Sequence, residues 1–101
     1  IAALGEKASL KASELAAKLR DEGYSVETDI SDRGLKAQMK FANKIGAKFL
    51  IVLGDTEIEN GKAKLKDMAE GSETEIKLDE IVDEFGEVIR IQIFKNIAEI
   101  I

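Results

Sequence analysis

Between Arg33 and Lys48 the chain carries five cations and no acid: Arg33, Lys36, Lys40, Lys44 and Lys48. Lysines spaced by four share one side of a helix, where like charges repel by roughly 0.2–0.5 kcal/mol per pair. A row built that way suits an anion with repeating charge, and phosphates are met by lysine and arginine. It also suits a plainer purpose, since lysine forms helices well and a solvated lysine face opposite an apolar one is common. Acidic residues collect elsewhere, at Asp55 to Glu59 and Glu70 to Glu87, and that segregation favours a polyanion.

Other chemistry is largely excluded. The chain has no histidine and no cysteine, which removes the commonest general base, thiol nucleophiles, disulfides and most zinc chemistry. Carboxylate, lysine and hydroxyl chemistry stay open, but no GxxxxGK[ST] or GxGxxG phosphate loop occurs. A binding module is favoured over an enzyme. The net charge of −5 argues weakly against nucleic acid, although local distribution decides binding.

These groups must be held by a small fold. With 101 residues, 45% apolar and 35% charged, there is room for one domain, 1–101. No run is long enough to cross a bilayer, no signal-peptide pattern opens the chain, and no membrane partner is expected. The lack of cysteine fits the cytoplasm. The chain opens at Ile1 without methionine and is read as a piece of a longer protein.

Ala8, Ala12, Leu15, Ala16 and Leu19 recur at helical spacing from Glu6 to Glu22, with Gly23 as the stop. Tyr24, Val26, Thr28 and Ile30 alternate as in a half-buried strand. Ser31 and Asp32 then cap a second helix from Gly34 to Ile45, with Leu35, Met39, Ala42 and Ile45 inward. Phe49 to Leu53 reads as a strand covered on both faces. Asn60-Gly61 signals a hairpin turn, followed by strands around Ala63 to Asp67 and Thr74 to Leu78. Asp79 caps a short helix ending at Gly86. The stretch from Val88 to Phe94 alternates like a strand, whereas Ile97, Ile100 and Ile101 suit a helix. The expected fold is α/β, a sheet parallel at its centre and antiparallel beyond, with helices on its faces.

The run from Ser31 through Gly34-Leu35-Lys36-Ala37-Gln38 to Ala42 and Gly46-Ala47-Lys48-Phe49 resembles the central segment of the histidyl-tRNA synthetase C-terminal domain, the anticodon-binding domain of a class II aminoacyl-tRNA synthetase family. Ile51 to Glu57, Asn60-Gly61, Lys64 to Met68 and the opening Leu4-Gly5-Glu6 match in kind and spacing. The resemblance covers residues 1–86 and leaves 87–101 as an unmatched tail. It implies a three-layer α/β/α sandwich around a five-stranded mixed sheet. It further implies recognition of a tRNA anticodon stem-loop, with ATP used only in a separate catalytic domain, no cofactor in this one, and a homodimeric, cytoplasmic parent.

By that resemblance Asp32 and Arg33, Glu57 and Lys66 match base-reading positions, while Lys36 and Lys40 hold the RNA backbone. Arg33 would stack or hydrogen-bond, Glu57 accept from a base edge, and Lys66 approach a base or phosphate. Each has a plainer purpose: a helix start for Asp32 and Arg33, a solvated loop acid for Glu57, surface for Lys66. Tyr24 and Phe41 could stack bases, but core packing is favoured for both. The competing readings are a threonyl-, prolyl- or glycyl-tRNA synthetase sister domain, a synthetase-like regulatory paralogue, a flavodoxin-like nucleotide- or protein-binding domain, and a dimerisation domain resting on the apolar tail.

Overall fold

The computed structural model describes residues 1–28 and 34–100, the last seven of them as helix backbone. Its order is β1 (Ala2–Ala3), α1 (Glu6–Asp21), α2 (Leu35–Lys44), β2 (Phe49–Leu53), α3 (Asp55–Asn60), β3 (Lys62–Asp67), β4 (Glu73–Lys77), a 3-10 turn Leu78–Glu80, and α4 (Ile81–Ile100). The strands lie in the order β1-β2-β3-β4, the first pair parallel and the others antiparallel.

Alternation along β2 sends Phe49, Ile51 and Leu53 to one side and Leu50 and Val52 to the other. On the first side Ala8, Ala12, Leu15 and Leu19 of α1 and Ile81 of α4 close the main core with Ala3, Ala63, Leu65 and Ile76. The alanines of α1 let the helix approach the sheet closely, and Gly5, at φ 100, makes the abrupt turn from β1 into it. On the second side α2 covers Ala2 and Leu50 with Ala42, and Met39, Val52 and Met68 fill in around them. The domain is therefore three layers deep, as expected.

Among the described residues the sheet has four strands, not five. Tyr24 to Thr28 alternate in burial like a strand but make no ladder, and Ile30 lies outside the described residues. The Ile1 nitrogen donates to the Glu27 carbonyl at 2.8 Å, so the segment runs beside β1. The edge of β1 at Ala3 is occupied by Gln38. Leu4 N–H donates to Leu53 at 2.8 Å, which turns the Ala3 peptide groups to the opposite edge of β1. There Gln38 Oε1 accepts from Ala3 N–H at 2.9 Å and Gln38 Nε2 donates to the Ala3 carbonyl at 2.8 Å. One buried side-chain amide stands where a neighbouring strand would pair.

Four further expectations are corrected. Asn60-Gly61 is not a hairpin turn: Gly61, at φ 68, ends α3 in the left-handed conformation that a helix stop and a tight hairpin both demand. Gly86 does not stop a helix, and Val88 to Phe94 do not form a strand; both lie within α4. Tyr24, edge-to-face with Phe85 at 4.9 Å, brings its hydroxyl over that turn, where a side chain at position 86 would make only an ordinary contact. On α2 the most buried residues are Gln38 and Ala42, while Leu35 and Ile45 sit at the helix ends and remain partly exposed. The expected cap by Ser31 and Asp32 lies outside the described residues.

Candidate nucleic-acid interface

The lysine row of α2 is set by what the opposite side of the helix does. Gln38 and Ala42 are drawn onto β1 and β2, so Lys36, Lys40 and Lys44 point to solvent with Lys48 just beyond them, all exposed. None of the four forms an ion pair with a described residue. Gln38 is level with Ala3 and hence with Leu53, while the Lys48 carbonyl accepts from Met68 N–H at 2.9 Å. The row therefore runs the length of the sheet.

A second row lies beside it. Leu50, which packs under α2, is directly opposite Lys66 in the antiparallel pair, so Lys66 is on the α2 side of the sheet. Lys64 and Lys62 follow at period two, and Glu73, Glu75 and Lys77 are opposite Lys66, Lys64 and Lys62. Helix α2 covers only the β1–β2 half of this surface, which leaves β3 and β4 open. The open ladder holds exposed ion pairs, Lys62 with Glu75 at 3.6 Å and Lys64 with Glu73 at 3.7 Å. Counting both rows, this side presents eight lysines and two glutamates. Twelve of the 20 acids sit on α1, α3, the 3-10 turn and α4, the elements of the other side of the sheet.

Of the residues singled out from sequence, Lys36, Lys40 and Lys66 share this surface. Glu57 belongs to neither row, although α2 begins at the same end of the sheet, where Gln38 is level with Leu53. It lies on α3, past the carboxyl end of β2, with roughly 13 Å of strand between the levels of Lys62 and Lys66. One of its carboxylate oxygens accepts from Gly54 N–H at 3.1 Å, and its charge favours the helix N-terminus. Asp32 and Arg33 lie outside the described residues. Tyr24 packs against Phe85 and the main core, and Phe41 is half-buried on α2. Lys62, Lys64 and Lys77 were missed as site residues; the period-two lysines of Lys62-Ala63-Lys64-Leu65-Lys66 were the available signal.

A cavity of 820 Å³ opens at the amino end of β2, between Tyr24, Val26, Phe41, Ala42, Phe49 and Ile89. A nucleotide site in an open α/β sheet belongs at the carboxyl ends of the strands. In this chain that end leads directly into the capped start of α3. Among the described residues no acidic cluster could hold a metal ion, and no helix is long and apolar enough to cross a membrane.

The mixed three-layer sandwich with an exposed lysine row on its second helix defines a class of α/β domain with one cationic face. The family model described as "Anticodon binding domain" matches residues 1–88, and the chain belongs to that family. It is similar to the histidine–tRNA ligase of Thermoanaerobacter pseudethanolicus, 58% identical over 81 residues, which are 80% of this chain and 19% of that protein. It is also similar to the histidine–tRNA ligase of Acetivibrio thermocellus, 52% identical over 81% of this chain and 20% of that protein. The chain thus spans about a fifth of the length of the curated relatives it matches. Among solved structures, apo histidyl-tRNA synthetase of S. aureus superposes with a TM-score of 0.79 at 40% identity, over 83% of this chain and 25% of that one. The RNA binding domain of threonyl-tRNA synthetase from Cryptosporidium parvum shares the fold, with a TM-score of 0.74 at 18% identity, over 85% of this chain and 22% of that one.

Proposed function

We propose that this chain grips the anticodon stem-loop of histidine tRNA on behalf of a histidine–tRNA ligase, while ATP-dependent activation of the amino acid is carried by parts of the protein outside this chain. The observation that carries the reading is the one-sided charge. An acidic protein presents eight lysines and two glutamates on the α2 side of its sheet. Phosphate contacts supply most of the affinity for nucleic acid and fix its register, and a row along the sheet can follow a backbone. The kinship with histidine–tRNA ligases supplies the choice of RNA.

Within that reading Lys36 and Lys40 hold the RNA backbone and Lys66 approaches a base or phosphate. Asp32 and Arg33 precede α2 in the sequence, and Arg33 stacks on or bonds an unpaired base. Glu57 accepts from a base edge with the carboxylate that also caps α3. A homodimeric parent in the cytoplasm accompanies this assignment.

The test is a fluorescence-anisotropy titration with the histidine-tRNA anticodon stem-loop, a loop of altered anticodon and mixed-sequence DNA, at two salt concentrations. Preference for the cognate loop, lost in Arg33→Ala and Glu57→Ala, is the expected result. Equal binding to all three that vanishes with salt reduces the surface to a lysine face without base readout.

A further inference from the structure

The two lysine rows differ in one respect that bears on specificity. Those of α2 have no ion-pair partner among the described residues, whereas Lys62 and Lys64 are each held by a glutamate of the neighbouring strand. The register makes these pairs diagonal, because Lys64 is directly opposite Glu75 and Lys66 opposite Glu73. Lys62 faces Lys77 across the ladder, and Glu75 is the acid that relieves this like-charge contact.

Building on the anticodon-loop reading, we propose that Glu73 and Glu75 are specificity-determining residues. They are intramolecular anions that occupy Lys62 and Lys64 and withhold them from polyanions with no other claim on the surface. Exposed ion pairs of this length are weak, so an RNA phosphate can displace the carboxylate. The exchange gives a net gain only when other contacts have already seated the RNA over β3 and β4. A featureless single strand reaches the α2 lysines freely and gains little by going further. A stem-loop held by base contacts crosses to the ladder and makes the exchange. The glutamates thereby lower non-specific affinity more than specific affinity.

The test compares the parent chain with a Glu73→Gln, Glu75→Gln double variant, using labelled oligouridylate and the histidine-tRNA anticodon stem-loop at 50 and 200 mM salt. A second double variant, Glu80→Gln with Asp83→Asn, removes the same charge from exposed positions at the start of α4. Circular dichroism confirms that each variant is folded. The ladder variant is expected to bind oligouridylate more tightly and with a steeper salt dependence. Two added phosphate contacts make the fourfold rise in salt cost it about sevenfold more affinity than it costs the parent. Its preference for the stem-loop over oligouridylate falls, and the α4 variant behaves like the parent.

If the parent binds the stem-loop while the ladder variant keeps the parent's oligouridylate affinity and salt slope, the proposal fails and the anticodon reading stands. An equal response from the α4 variant also overturns it, because net charge then accounts for the effect. A parent that binds neither RNA overturns the anticodon reading; oligouridylate binding gained by the ladder variant alone still supports the glutamate brake. If neither protein binds, both ideas fail.

Discussion

On the α1 side of the sheet, Ile51, Leu53, Ala63, Leu65 and Ile76 meet Ala8, Ala12, Leu15 and Ile81 in a continuous apolar core. On the α2 side the buried cluster is only Ala2, Leu50 and Ala42, and the rest of the surface is the charged ladder of β3 and β4. The same strands build both sides, since alternate residues point opposite ways. Leu65 belongs to the core, while its neighbours Lys64 and Lys66 belong to the outer surface. Stability is concentrated on one face, and the charge available to a partner is concentrated on the other. Changes on the first face should therefore alter unfolding and reach RNA binding only through it. Changes on the second should alter binding with the fold intact.

The largest expected effect is Leu15→Ala, at a side chain with no exposed surface in the main core. Loss of its packing should cost about 2–5 kcal/mol and lower the melting temperature by roughly ten degrees or more, read by thermal circular dichroism. Gln38→Ala comes next, because it strips the partners from the Ala3 N–H and carbonyl at the edge of β1. Urea unfolding should show a loss of about 2 kcal/mol. A loss below about 0.5 kcal/mol would mean that another group readily takes over that edge, ending Gln38's claim to replace a strand.

Gly86→Ala runs the other way. Its added methyl would stand 3.6 Å from the Tyr24 hydroxyl, an ordinary contact, within a continuous helix. The same measurement should show a gain of about 0.5–1 kcal/mol. The smallest change in stability is expected from Lys36→Gln with Lys40→Gln, within about 0.5 kcal/mol of the parent. The same pair should reduce the salt slope of stem-loop binding by about 1.4, since two phosphate contacts are lost. A large stability change from the lysine pair, or none from Leu15→Ala, would break the division between the faces.

Much of the core was legible because periodicity is a local property. Ala8, Ala12, Leu15, Ala16 and Leu19 of α1 all fell inward as their spacing required, and the unbroken run of β2 is covered on both sides. Local signals failed where two structures ask for the same residue. Asn60-Gly61 supplies a left-handed glycine equally to a hairpin and to the end of α3. The alternation from Val88 to Phe94 looked like a strand, yet on α4 Val88 packs against the main core and Ile89 lines the cavity, while Ile91 and Ile93 stay exposed. For Tyr24 to Thr28 the alternation was right about which side chains turn inward and wrong about the ladder. Nothing around position 38 signals that a glutamine on α2 will bond Ala3, 35 residues away.

By itself, the sequence determined the existence and type of α1, α2 and β2, the α/β order, the anticodon-domain kinship and the acid-free lysine row, all features written within a few turns of chain. Only the tertiary structure decided that the lysines of β3 share a side with those of α2, that Glu73 and Glu75 sit among them, and that Glu57 caps α3. Strand register made those decisions. It is fixed by pairing between residues far apart in the chain, and the opposition of Leu50 and Lys66 across β2 and β3 leaves no trace in either segment alone.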